Sequence, residues 1–211
     1  MSEHVEEQGA ADEVDLATEA GPETNSRPAV PEAEPVSAGP EHAVAALRIP
    51  DDVGRIEGAP YGARRSVAIA VSRFNGDIST RLLEGALTAL AEAGVERSDI
   101  DVMPVPGAFE LPLAAMGLAM TLRYACVLAI GCVIRGDTPH FEYVASEAAS
   151  GLQLAALETG VPVAFGVLTC DNRYQAEARA GGRHGNKGGE AARAGLEMAD
   201  AFARLRAAAA R

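Results

Sequence analysis

Residues 125–134 read ACVLAIGCVI, an almost unbroken apolar run. The run is too short to cross a bilayer, which takes roughly 20 residues, and it lacks the alternation of a strand with one face in water. Runs of this kind are typical of strands buried on both faces, which occur in parallel sheets covered by helices on either side. The chain is therefore expected to surround this segment with helices.

Three further apolar segments alternate with helical patterns along the chain. Strands are predicted at residues 66–72, 100–105 and 163–169, and helices at residues 77–93, 109–122, 141–159, 173–180 and 190–210. Asp77 is the expected N-cap of the first helix, and the glycine-rich residues 181–189 are expected to form a loop. Alternating strands and helices with right-handed crossovers predict a three-layer α/β/α sandwich of flavodoxin-like type, with a central parallel four-stranded sheet.

The charge of the chain is unevenly distributed. Residues 1–60 carry 14 acidic and 3 basic side chains and residues 61–211 carry 16 and 15, so nearly all of the net charge of -12 lies in the first part. Residues 1–50 are rich in Pro, Ala and Glu, a composition that cannot bury enough apolar surface to fold. We predict a disordered acidic extension over residues 1–50 and one folded domain over residues 51–211. The nearly neutral domain argues against nucleic-acid binding, which requires a basic surface.

The three cysteines, Cys126, Cys132 and Cys170, lie in apolar surroundings. They form no CxxC pair, so buried thiols are favoured over a metal or redox site. No disulfide framework is indicated, as expected in a reducing compartment. No segment has the length of a membrane span, and the N-terminus lacks the pattern of a secretory signal. A cytoplasmic protein with no metal site and no membrane contact is the expectation.

Polar and aromatic residues follow the predicted strands. Phe74 follows the first strand, residues 107–110 (Gly-Ala-Phe-Glu) follow the second, and residues 137–140 (Asp-Thr-Pro-His) follow the third. Because the carboxyl ends of parallel strands meet at one edge of the sheet, these residues should lie together where open α/β sheets bind ligands. An exposed Phe suits a flat heteroaromatic ring, although a Phe that caps the core is the alternative at each position.

Four residues are candidates for binding or protonating a charged substrate. His140 is expected at the start of a helix, where a neutral imidazole could accept and return a proton; a structural histidine is the alternative. Lys187 is the only lysine of the chain. Together with Arg179 and Arg183 it would form a positive site suited to phosphate, with an ordinary loop lysine as the alternative.

Taken together, these segments resemble the 6,7-dimethyl-8-ribityllumazine synthase family. The matching motifs are SRFN (72–75), PGAFELP (106–112), GCVIRGDTPHFEYV (131–144), FGVLT (165–169) and RAGGRHGNKG (179–188). Members of this family condense 5-amino-6-(D-ribitylamino)uracil with (3S)-3,4-dihydroxy-2-butanone 4-phosphate. The products are 6,7-dimethyl-8-ribityllumazine, phosphate and water, in the penultimate step of riboflavin biosynthesis, and no metal or organic cofactor is needed.

The resemblance implies a role for each matching residue. His140 is the expected proton donor. The expected pyrimidine and ribityl contacts are Phe74, Ala108, Phe109, Glu110, Cys132, Val133 and Ile134, with Phe165 supplied by a neighbouring subunit. The expected phosphate contacts are Asp137, Thr138 and Arg179, with Lys187 beside them.

The resemblance also implies a homo-oligomer with small-molecule substrates. Family members form pentamers, and many assemble twelve pentamers into a 60-subunit icosahedral shell. The glycine-rich stretch 181–189 carries no insertion and looks like that of shell-forming members. Association with riboflavin synthase is a further expectation. The alternative reading is a non-catalytic flavin- or lumazine-binding protein, or a cargo-recruiting shell protein, on the same scaffold.

Overall fold

The computed structural model describes residues 47–210. Within them, four parallel strands form a central sheet in the order β2-β1-β3-β4. The strands are β1 (Val67–Ser72), β2 (Ile100–Val105), β3 (Cys126–Ile134) and β4 (Val163–Cys170). The helices are α1 (Gly76–Glu92), α2 (Leu111–Met120), α3 (His140–Thr159), α4 (Arg173–Arg179) and α5 (Lys187–Ala209). The predicted flavodoxin-like α/β/α architecture is confirmed.

The predicted acidic extension, residues 1–50, lies outside the described residues except for 47–50, which form neither helix nor strand. The division of the chain at residue 50 therefore stays a prediction.

Strand β3 is covered on both faces, as its composition predicts. Eight of its nine residues are buried, and alternate side chains enter two separate apolar clusters. One cluster packs β1 and β3 against α1 and α5, with Leu128, Leu82 and Leu196 among its fully buried residues. The other packs the opposite face against α2 and α3, through Val127 and Leu111 among others. This burial on both faces fixes the register of β3, because a shift by one residue would exchange the two sets of side chains.

Helices α1 and α5 cross at unusually close range. A Cβ atom built on Gly188 would lie 2.0 Å from the carbonyl oxygen of Leu82, and one built on Gly85 would lie 2.1 Å from the side chain of Asn186. At Gly188 only a hydrogen atom fits against the backbone of α1, and at Gly85 only a hydrogen atom fits against the side chain of Asn186. The glycines near residue 188 therefore serve helix packing.

The prediction that residues 181–189 form a loop is wrong. They form a short antiparallel hairpin of β5 (Ala180–Gly182) and β6 (Gly185–Asn186), and α5 begins at Lys187. The side chain of Asn186 caps this helix, since its Oδ1 accepts the N–H groups of Gly188 (2.9 Å) and Gly189 (3.2 Å). Asn is a favoured N-cap residue because it offers such an acceptor.

The assignment of Asp77 as the N-cap of α1 is also wrong. Asn75 occupies that position in the left-handed conformation, with φ 54° and ψ 45°. Asn tolerates this conformation better than most residues. Asp77 lies in the first turn instead, where its charge complements the helix dipole.

A buried carboxylate joins the start of the folded domain to its last helix. Asp200 on α5 accepts hydrogen bonds from the backbone N–H of Ala59 (3.0 Å), from Arg65 (2.7 Å) and from Arg204 (2.8 Å). These bonds hold the pKa of the Asp200 carboxyl below its usual range, with the bond from Ala59 as the largest cause. The segment before β1 is thereby held against α5.

We expect Gly188→Ala to destabilise the fold by about 2 kcal/mol or more, because the new methyl group would push α1 and α5 apart. The control is Gly54→Ala in the segment before β1, where a Cβ would also meet no atom within 4 Å. That change should be neutral or stabilising by up to about 1 kcal/mol, because alanine restricts the unfolded chain more than glycine does. Denaturant midpoints at one protein concentration would test this, and equal midpoints for the two variants would contradict the packing role.

We expect Asp200→Asn to lower the thermal midpoint at neutral pH and to matter progressively less in acid. A carboxyl whose pKa is depressed by folding stabilises above its unfolded pKa, about 3.9, and loses that contribution as the pH falls through its folded pKa. Thermal midpoints of both proteins from about pH 7 to about pH 3 should therefore converge. Asp52→Asn, at an exposed position, is the control. A difference independent of pH would contradict this role of the charge.

Candidate active site

The carboxyl ends of β1, β2 and β3 surround a cavity of about 580 Å³. Strand β1 lies between β2 and β3, so the chain reverses its direction of strand addition here, which is where open α/β sheets bind ligands. The lining residues are Phe74, Gly107, Ala108, Phe109, Glu110, Cys132, Val133, Ile134, Gly136, Thr138, His140, Phe141, Tyr143 and Val144. Residues predicted from the ends of three different strands, including Phe74, Glu110 and His140, thus line one cavity.

Phe74 is held at the cavity by its backbone. Its N–H donates to the carbonyl of Pro106 (3.1 Å), and the next residue, Asn75, donates from Nδ2 to the carbonyl of Cys132 (2.9 Å). The residue as a whole is 71% exposed. An aromatic ring held in place yet uncovered offers a stacking surface for a planar ligand.

Glu110 follows β2 and faces the same cavity. One of its carboxylate oxygens, Oε2, accepts the backbone N–H of Gly107 (2.8 Å). This bond orients the carboxylate within the short turn that precedes α2, and an ionised carboxylate has further acceptor capacity for hydroxyl groups. The neighbouring residue Phe109 is 58% exposed. This wall combines a hydroxyl-binding group with an apolar surface.

The end of β3 forms the third wall, through Cys132, Val133 and Ile134. Burial raises the pKa of the Cys132 thiol to about 12. Because a thiol is nucleophilic only when ionised, Cys132 contributes shape and backbone groups to the cavity. Burial likewise raises the pKa of Cys126 to about 12.

Helix α3 closes the cavity with its first two turns. His140 is the first residue of the helix, as predicted, and it lines the cavity with Phe141, Tyr143 and Val144. These last three residues were not among the predicted site residues. Tyr143 and Val144 follow His140 by three and four positions and therefore share its helix face, a periodicity that would have identified them.

Four of the predicted site residues do not line this cavity of the described chain: Asp137, Phe165, Arg179 and Lys187. Phe165 lies on the edge strand β4, opposite Ala129, and is 47% exposed. Arg179 ends α4 and donates to the carbonyl of Gln175 (3.0 Å). Lys187 begins α5 and pairs with Glu190 (2.9 Å). Their assignment to the site stays a prediction.

Comparison with known proteins identifies the family. A family model described as 6,7-dimethyl-8-ribityllumazine synthase matches residues 64–203. The chain belongs to the 6,7-dimethyl-8-ribityllumazine synthase family. A relative of that name from Syntrophus aciditrophicus is 54% identical over 144 residues, which cover 68% of this chain and 94% of the relative. Another from Gemmatimonas aurantiaca is 49% identical over 152 residues, covering 72% and 93%.

The match to the family model begins just before β1 and ends within α5, and it includes every residue that lines the cavity. Among residues 47–210, no group of three or more His, Cys, Asp or Glu side chains is arranged to hold a metal ion. None of the described helices is long and apolar enough to span a bilayer. The arrangement offers exposed aromatic rings, an oriented carboxylate and an imidazole around one cavity.

Proposed function

We propose that this chain is a transferase of its family, a 6,7-dimethyl-8-ribityllumazine synthase. It condenses 5-amino-6-(D-ribitylamino)uracil with (3S)-3,4-dihydroxy-2-butanone 4-phosphate and releases the lumazine, phosphate and water. The single observation that carries this assignment is the convergence of Phe74, Glu110 and His140 on one cavity in a chain of this family. The names of the relatives favour catalysis over a purely binding or cargo-recruiting role.

The pyrimidine substrate fits the walls formed by the three strand ends. Its planar ring would stack on Phe74, with backbone groups of Cys132, Val133 and Ile134 along its edge. The ribityl hydroxyls would bond to Glu110, and Ala108 and Phe109 would line the sugar chain. The carboxylate is already oriented by the N–H of Gly107, so binding would not have to order it.

The phosphate substrate would occupy the loop between β3 and α3. Thr138 lines the cavity beside His140, and Asp137 would contribute through the same loop. The attacking amine belongs to the pyrimidine, so the protein needs no nucleophile of its own. The protein has to position two substrates and assist phosphate loss, dehydration and ring closure. His140 would transfer the protons, and Arg179, with Lys187 near it, would stabilise the departing phosphate.

Completing this site requires a second subunit. Phe165 and Arg179 lie outside the cavity of their own chain, and Phe165 is exposed on an edge strand. Large apolar side chains are exposed on β2, α2 and α3, including Met103, Leu113 and Leu157. Exposed apolar side chains on several elements favour an interface, and they support a homo-oligomer whose sites lie between neighbours.

We propose a pentamer as the basic assembly, which the family resemblance implies and which a closed ring of head-to-tail interfaces would form. Assembly of twelve pentamers into a 60-subunit shell, and association with riboflavin synthase, follow from the family resemblance. The three cysteines are buried and their spacing indicates no disulfide framework, which favours the reducing environment of the cytoplasm.

Purified protein mixed with the two substrates should form the fluorescent lumazine faster than the spontaneous condensation does. His140→Asn should lower kcat by about 10²-fold, the usual contribution of a positioned proton donor. The thermal midpoint of the variant should stay near that of the parent protein. No acceleration over the spontaneous rate by the parent protein would refute the synthase assignment.

Mixed oligomers should reveal whether the site is divided between subunits. Oligomers assembled from equal amounts of His140→Asn and Arg179→Ala chains should regain activity in about a quarter of their sites, where an intact His140 meets an intact Arg179 of its neighbour.

The matched control mixes His140→Asn with Glu110→Ala chains. The cavity takes Glu110 and His140 from the same chain, so this mixture should regain no activity. Equal recovery in both mixtures, or in neither, would contradict a site that combines His140 and Arg179 from different chains.

A further inference from the structure

Arg135 contacts three structural elements around the cavity without lining it. Its backbone N–H donates to the carbonyl of Cys170, the last residue of β4 (2.9 Å). In its side chain, Nε donates to Asp171 (2.9 Å) and Nη1 donates to Glu142 in the first turn of α3 (3.0 Å). One residue therefore joins the ends of β3 and β4 to the start of α3.

The same guanidinium also covers an aromatic ring of the cavity wall. The central carbon of the Arg135 guanidinium lies 4.5 Å from the centroid of the Phe141 ring, within the range of a cation–π contact. Phe141 lines the cavity and directly follows His140. The group that Arg135 holds is thus part of the candidate site.

Helix α3 begins without a side-chain N-cap. Pro139 occupies the N-cap position, and the described structure shows no capping bond from it. Most helices gain stability at this point from a Ser, Thr, Asp or Asn that accepts a backbone N–H. In α3, the contacts of Arg135 with Glu142 and Phe141 hold the first turn from outside the helix.

We propose that Arg135 is a positioning residue for the reaction, an inference that rests on the proposed function. It fixes the first turn of α3, and with it His140 and Phe141, relative to the pyrimidine wall at the end of β3. An arginine suits this task, since its planar fork donates in two directions while its face stacks on a ring. The single point charge of a lysine would satisfy one carboxylate and leave the ring contact weakened.

This positioning should affect catalysis more than stability. The side chains of Arg135, Glu142 and Asp171 are 44%, 66% and 64% exposed, and exposed ion pairs contribute little to global stability. A displaced proton donor, by contrast, costs up to about 10²-fold in rate for a shift of about 1 Å.

The test compares Arg135→Gln and Arg135→Lys with the matched control Arg123→Gln. Arg123 also pairs with a carboxylate, Asp101, and also lies over a ring, that of Tyr124, but it precedes β3 and is remote from the cavity. Arg135→Gln should lower kcat by about tenfold or more with a thermal midpoint within about 3 °C of the parent protein. The kcat of Arg135→Lys should lie between those of Arg135→Gln and the parent protein. The kcat of Arg123→Gln should equal that of the parent protein.

Amide hydrogen exchange supplies a readout that does not depend on turnover. Peptides covering residues 136–145 should exchange faster in Arg135→Gln than in the parent protein. In Arg123→Gln their exchange rates should equal those of the parent protein. If the two variants differ in exchange as expected but the parent protein shows no turnover, the proposed function fails while the structural part of the inference stands. If the parent turns over and Arg135→Gln matches Arg123→Gln in kcat and in exchange, the positioning role is refuted.

Should Arg135→Gln fail to fold, Glu142→Gln compared with Asp101→Asn tests the same pairs from the acidic side. A loss of kcat in Glu142→Gln alone would support the role of Arg135, and equal kcat values in the two variants would overturn it.

Discussion

The parallel pairing of β1 with β3 determines where the cavity forms. The last paired residues are Val71 and Ile130, and β3 continues beyond them to Ile134. After β1 ends, the chain turns away from β3 at Phe74. The side chain of Asn75 bridges back to β3 by donating to the carbonyl of Cys132. Because β3 is longer than β1, its last residues have no neighbouring strand on that side and form a wall of the cavity. The burial of both faces of β3 prevents its register from shifting.

The layers of the fold and most of the cavity could be predicted because they follow from strong local patterns. Apolar runs and helical periodicity identify the strands and helices, and the shared edge of parallel strands brings Phe74, Glu110 and His140 together. The hairpin and the start of α5 could not be predicted in this way. Gly188 has the same local signature as a loop glycine, and only its contact with Leu82, distant in sequence, shows that it packs a helix.

The division between cavity-lining and remote site residues has a physical basis in the sheet. Residues after β1, β2 and β3 lie at one edge and converge, whereas Phe165 projects from within the edge strand β4 and Arg179 follows a further helix. Phe165 is also partly exposed in this chain. It is therefore available to another subunit, and the exposed apolar residues of β2, α2 and α3 indicate where such contacts would form.

Two charge networks of this chain illustrate how burial separates stability from geometry. Asp200 is buried, and its partners tie distant parts of the chain together, so replacing one of its carboxylate oxygens by a donor group would leave a buried donor without an acceptor. Arg135 and its carboxylates are largely exposed and water can replace their bonds at little cost. Water cannot reproduce the orientation that the contacts of Arg135 give to the first turn of α3. The two apolar clusters already stabilise the fold without the ion pairs of Arg135. The role of these exposed ion pairs beside the cavity is therefore to position the residues that act on the substrate.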